Sequence, residues 1–156
     1  MKFGDVVIAV ASIAVIFALL AFPLDMVFVS VLGLGGYFVG LFVSMFLCAL
    51  ITGYVFAGKL WEARREAVTK VAVLWAALNV LIGLIVPAGL ADWGQKAKEE
   101  YLTMNPGATL SAAEWVNWEM IVQDLAMFLT VVMAFVLGFI GLYVGSMLRK
   151  PAKSQK

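Results

Sequence analysis

The sequence predicts an all-α integral membrane protein: a four-helix transmembrane bundle with a short helical extracytoplasmic segment between its third and fourth helices. Three observations predict it. Apolar residues make up 64% of the 156 positions and charged residues only 13%, against roughly half and a quarter in soluble domains. Residues 6–24, 26–58, 71–91 and 125–148 carry no Asp, Glu, Lys or Arg, and a hydrocarbon core of about 30 Å needs roughly 20 residues of helix. The basic residues divide unevenly between the connections. Lys2, Lys59, Arg64, Arg65, Lys70, Arg149, Lys150, Lys153 and Lys156 fall on one side, and Lys96 and Lys98 on the other. Basic residues stay cytoplasmic, so both termini are expected inside and 92–120 outside. The chain reads as one membrane domain, 1–156.

Span one covers about 6–24. Its apolar stretch exceeds a signal-peptide core, and Pro23-Leu24-Asp25 offers no small-x-small cleavage site, so a retained span is expected. Ala11, Ala14, Ala18 and Ala21 step by three and four, which predicts a small-residue seam against span two. Pro23, Asp25 and the glycines at 33, 35 and 36 predict a turn over 23–35 with some interfacial helix.

Span two, about 36–58, is the packing centre of this reading. Gly36, Gly40, Ser44, Cys48 and Thr52 recur at every fourth position among bulky apolar neighbours. On a helix that spacing draws a nearly axial ridge. Small residues so spaced let helices approach closely in lipid, where burial of apolar surface no longer drives association. The cytoplasmic connector 59–70 is charged and helix-favouring. Glu62 and Glu66 stand at ion-pair spacing beside Arg65 and Lys70. Span three, about 71–91, holds Asn79 near its middle and Pro87 near its end, where a bend or stop is expected.

The extracytoplasmic excursion 92–120 begins with an amphipathic stretch, Gly94 to Met104, and turns at Asn105-Pro106-Gly107. Ser111 and Glu114 match a capping box. The helix opening there is expected to run through span four, about 121–148, for about 37 residues and roughly 55 Å. Its first turns therefore project beyond the bilayer. Trp115 and Trp118 are expected at the headgroups, and with Trp93 and Tyr101 they form an outer aromatic surface suited to docking. Gly138, Gly141 and Gly145, with Ala134, give a second small-residue face. The spacing leaves open whether a helix of this chain or a neighbouring subunit fills it. The basic tail 149–156 is expected on the cytoplasmic face, as a topology signal within reach of anionic lipid.

Chemistry is sparse. There is no histidine, which excludes haem held by imidazole and histidine proton relays. The lone Cys48 cannot form an internal disulfide. No phosphate-binding glycine loop, nucleophile elbow, HExxH or CxxC occurs. Neither catalysis, a metal, nucleic-acid binding nor a cofactor is expected; membrane lipids are the small-molecule contacts. Asn79 is the intramembrane polar residue, expected to bond across to another helix for about 0.6–2 kcal/mol. Asp25 and Asp124 sit at the outer edges of spans one and four. As neighbours they would converge on a cation or share a proton; otherwise each rests among the headgroups.

These features predict a non-catalytic structural or accessory subunit of a larger membrane complex. It would pack against other subunits, or copies of itself, through its small-residue faces and outer helical segment. The alternative is a small homo-oligomeric channel or transporter lined by Asn79, Ser44, Thr52 and Asp25 or Asp124.

Overall fold

A computed structural model describes residues 1–33, 35–61, 64–85, 98–109 and 111–149, and among these the chain is all-helical. The helices are α1 (Phe3–Leu32), α2 (Gly35–Val55), α3 (Ala57–Trp61), α4 (Arg64–Ile85), α5 (98–104) and α6 (Ala112–Leu148). Three are long and apolar enough to cross a membrane, over Phe3–Leu32, Phe38–Val55 and Met127–Leu148. The uncharged run 71–91 lies on α4 as far as Ile85. Pro87 and the rest of that run fall outside the described residues, as do Gly94 and the tail from 150.

Local chemistry fixes most helix ends. The Asp5 carboxylate accepts the Lys2 backbone N–H at 3.3 Å and places negative charge in the first turn of α1, where the helix dipole favours it. Helix α1 then continues to Leu32, so residues 23–32 of the turn predicted over 23–35 are helical. Pro23 lies inside α1 and does not end it. In an apolar surrounding, leaving the helix would strip hydrogen bonds from several backbone groups, whereas one proline removes a single donor. The stop comes at Gly33, whose φ of 64° favours glycine. Asp25 therefore sits on a helix, 20 residues and about 30 Å along the axis from Asp5.

Helix α2 touches both α1 and α6; α4 touches α6 and closes weakly on α1, while α1 and α6 do not touch. The two main contacts of α2 use different small-residue faces. On the first, a Cβ at Gly40 would lie 2.9 Å from Asp25 Cα, and one at Gly36 would lie 2.6 Å from the Val29 nitrogen. On the second, a Cβ at Gly53 would lie 2.8 Å from Leu142 Cα. Facing it, a Cβ at Gly141 would meet Phe46 O at 2.7 Å and Ala49 Cβ at 2.9 Å, and one at Gly145 would run into the Leu50 carbonyl oxygen. Backbone thus lies directly on backbone along both sides of α2.

The buried core lies toward the end where α1 and α4 begin. It comprises Val6, Ala9, Val10 and Ile13 of α1, Met45, Cys48 and Ala49 of α2, Leu60 of α3, Ala67, Val68, Val71, Ala72 and Trp75 of α4, and Ala134 and Leu142 of α6. Trp75 is 1% exposed and spans the interior, edge-on to Phe17 of α1 at 5.7 Å and 3.2 Å from where a Gly138 Cβ would stand. The alanine seam is corrected here. Ala11 and Ala18 are exposed, and the buried stripe of α1 is the bulkier Val6, Ala9, Val10 and Ile13.

Gly145→Ala is expected to destabilise the fold by about 1–3 kcal/mol, because its Cβ meets backbone that cannot swing aside. Gly58→Ala, with nothing within 4 Å of its added Cβ, is expected to stabilise by about 0.5–1 kcal/mol. Thermal unfolding in mild detergent measures both, and shifts of the same sign would contradict the packing described.

Candidate functional site

The basic end of the bundle is held by long cationic side chains. Lys59 of α3 pairs with Asp5 of α1. The Arg64 guanidinium lies 5.5 Å from the centre of the Tyr143 ring, joining α4 to α6. Arg149 lies 5.7 Å from the Tyr54 ring centre and points an N–H at Val55 O, 3.5 Å away. That carbonyl belongs to the last turn of α2, where oxygens lack helical partners and positive charge is favoured. Each contact bridges two helix ends with a long aliphatic stem at the edge of an apolar run, and the two arginines add a flat head that lies over a ring. Sequence reading took these residues only as orientation signals; their pairing with Tyr54 and Tyr143 needed the interhelix register.

The interior offers little for chemistry. Ser44 and Ser146 are buried, and their hydroxyls donate to Gly40 O at 2.7 Å and Tyr143 O at 2.8 Å, on their own helices. Cys48 Sγ does the same toward Met45 O at 3.1 Å. Asn79 was expected to reach another helix, but its Nδ2 donates to Trp75 O on α4 at 2.8 Å. The carbonyl one turn back is the nearest acceptor, and it spares the side chain from crossing a packed interior. Asp25 Oδ1, Thr52 Oγ1 and Trp75 Nε1 are buried with no hydrogen-bond partner among the described residues. They lie at different levels of the fold. Asp25 and Asp124 do not converge, since α1 and α6 stand on opposite sides of the bundle with α2 and α4 between them. Asp124 is exposed on α6, and Asp25 is half-buried against Gly40. No group of three His, Cys, Asp or Glu is placed to hold a metal among the described residues.

The predicted packing glycines face inward. Gly36, Gly40, Gly138, Gly141 and Gly145 are all buried, each against a neighbouring helix of the same chain. Two partners went unread in the sequence: Ala49 and Gly53, spaced by four but one position off the Gly36–Thr52 ridge. A second small pair on the same helix was the signal available.

At the opposite end, α6 begins at Ala112, ahead of the expected span of about 121–148. The length before that span extends for about 14 Å. Ser111 caps the helix: its Oγ accepts the Glu114 N–H at 3.3 Å, and its N–H and hydroxyl donate to Glu114 at 2.7 and 2.6 Å. Along this length and the turn after it, Val116, Met120, Ile121 and Leu125 are 57, 55, 57 and 63% exposed. Helical spacing puts Val116 and Met120 on one side of the helix, and Ile121 and Leu125 on another. Tyr101 is exposed on α5. Trp93 lies outside the described residues; Trp115 and Trp118 are placed on α6 by backbone alone. In the sequence, residues 92–124 carry six carboxylates and two lysines.

No protein-family model, curated protein or solved structure matches the chain.

Hydrogen bonds from Ser111 hold the Glu114 carboxyl below the usual glutamate range. A lowered folded value means that the cap contributes above the unfolded value, near 4.5, and is lost as pH falls through the folded one. Amide exchange at Ala112–Glu114, corrected for intrinsic rate, is expected to quicken as pH drops below that range. Protection unchanged in acid would remove Glu114 from the cap. Because Asn79 bonds its own helix, Asn79→Leu is expected to shift unfolding by less than about 0.6 kcal/mol. A larger loss in the same detergent assay would mean that the amide bridges helices.

Proposed function

We propose that this chain is a non-catalytic, four-span subunit of a larger membrane assembly, with α1, α2, α4 and α6 as its spans. Both termini are cytoplasmic on this reading, in line with nine basic residues on one side against two on the other. One observation carries the proposal: Val116 and Met120 lie exposed on one side of α6, on the length that precedes span four. Lipid covers apolar side chains within the hydrocarbon core. Apolar side chains beyond it need a protein partner or stay wet. The small-residue faces support the subunit's own fold, because their glycines meet helices of the same chain.

The partner is a different membrane polypeptide that presents apolar side chains flanked by Lys or Arg. A second copy docking through the same face would set acidic surfaces against one another, and like charges across an interface are unfavourable. Ser44, Asn79 and Ser146 bond their own helices, which takes two of the residues expected along a solute pathway, Ser44 and Asn79, out of easy reach.

Native mass spectrometry of the protein extracted from its own membrane in mild detergent tests the proposal. Recovery bound to a different polypeptide is expected. Val116→Gln combined with Met120→Gln is expected to weaken that complex at least about tenfold, or 1.4 kcal/mol, with thermal unfolding unchanged. Recovery alone overturns the subunit reading; recovery as a closed homo-oligomer does so in favour of the channel or transporter.

A further inference from the structure

The weakest side of the bundle, where α1 and α4 meet, holds a groove of about 440 Å³. Phe3 and Val6 form one wall; Val73, Leu74 and Ala77 form the other. Thr69 and Lys70 stand at its mouth. Lys70 is the last charged residue before the uncharged run 71–91, so it marks the edge of the hydrocarbon. Ala77 lies seven residues deeper, about 10 Å along α4. The groove therefore starts at headgroup level and continues as an apolar channel into the acyl layer.

We infer that this groove seats one phospholipid with an anionic headgroup. The occupant follows from position and charge. A groove open to the bilayer is filled by the bilayer's own molecules, and its apolar walls suit an acyl chain. Its mouth suits a phosphodiester. Lys70 is more than half exposed and spends one donor on Glu66, whose carboxyl this pairing holds below the usual range. An ammonium has three donors, so two remain. Lys2, beside the wall residue Phe3, is exposed at the same end, and Arg65 is exposed one turn before the mouth on α4. A zwitterionic headgroup would bring its own ammonium among these cations; phosphatidylglycerol brings only negative charge. The site rests on α4 as a span, as the proposed function does. Val116 and Met120 of α6 lie at the other end of the molecule and play no part here, so loss of the partner polypeptide would leave the lipid site standing.

The test uses the full chain in nanodiscs of equal phosphatidylglycerol and phosphatidylcholine, released into detergent and read by native mass spectrometry. Wild type is expected to retain one phosphatidylglycerol per chain under washing that strips phosphatidylcholine. Lys70→Gln is expected to lower that occupancy about fivefold, the effect of removing one basic residue near a charged surface. Ala77→Phe, at an exposed position, is expected to fill the groove and abolish retention. Ile140→Phe, on an exposed face of α6, is expected to retain the lipid as wild type does. Equal retention of the two lipids, or equal retention by wild type and Ala77→Phe, overturns the inference. Should Lys70→Gln fail to fold, the comparison of Ala77→Phe with Ile140→Phe decides alone.

Discussion

The fold depends on how closely α2 and α6 approach. Gly53 against Leu142, Gly141 against Phe46 and Ala49, and Gly145 against Leu50 leave no room for a Cβ on either backbone. In lipid, apolar surface gains nothing by turning away from its surroundings, so association rests on the number of atoms brought into van der Waals contact. Bare backbones supply that contact at low entropic cost, since glycine has no side chain to immobilise. With this pair fixed, α1 lies along the other side of α2, and α4 closes the remaining gap with the broad ring of Trp75.

Two kinds of side chain share the work around that contact. Small residues set the distance between helices in the interior. Long amphipathic ones tie the helix ends where water begins, with Lys59 on Asp5, Arg64 over Tyr143 and Arg149 over Tyr54. The arrangement is asymmetric. The basic end is braced from helix to helix, while at the other end α6 runs past the bundle with a large exposed apolar surface. Most polar groups inside face their own helices, which leaves the outside of the molecule as the place to look for function.

Much of the helix plan was legible in the sequence, because length and charge decide it. Uncharged runs gave the apolar helices, and Ser111 with Glu114 marked the start of α6 by a chemistry that needs only four residues. Facing was harder to read. A hydrophobic pattern separates wet from dry, but lipid and core are both dry, so it could not say whether Ala11 or Val10 turns inward. Small size was an incomplete guide: the Gly36–Thr52 ridge is buried throughout, while Ala11 and Ala18 of α1 are exposed. Proline misled for a related reason. Pro23 signals a turn when water competes for the backbone, and here the helix continues. The reach of Asn79 and the separation of Asp25 from Asp124 depended on which helices are neighbours, a property of tertiary order that no local spacing encodes.

Helix α6 is one continuous element of 37 residues with no proline. Its glycines cluster at the end that packs on α2, and its exposed Val116 and Met120 lie toward the other. Such a rod acts as a lever pivoted in the bilayer. With a free arm of about 14 Å, a tilt of about 10° at the pivot carries the tip sideways by about 2 Å. That is close to half a helical turn, enough to shift the side chains a bound neighbour meets. Motion within the membrane would thus arrive at the far end as displacement, without any change in the helix itself.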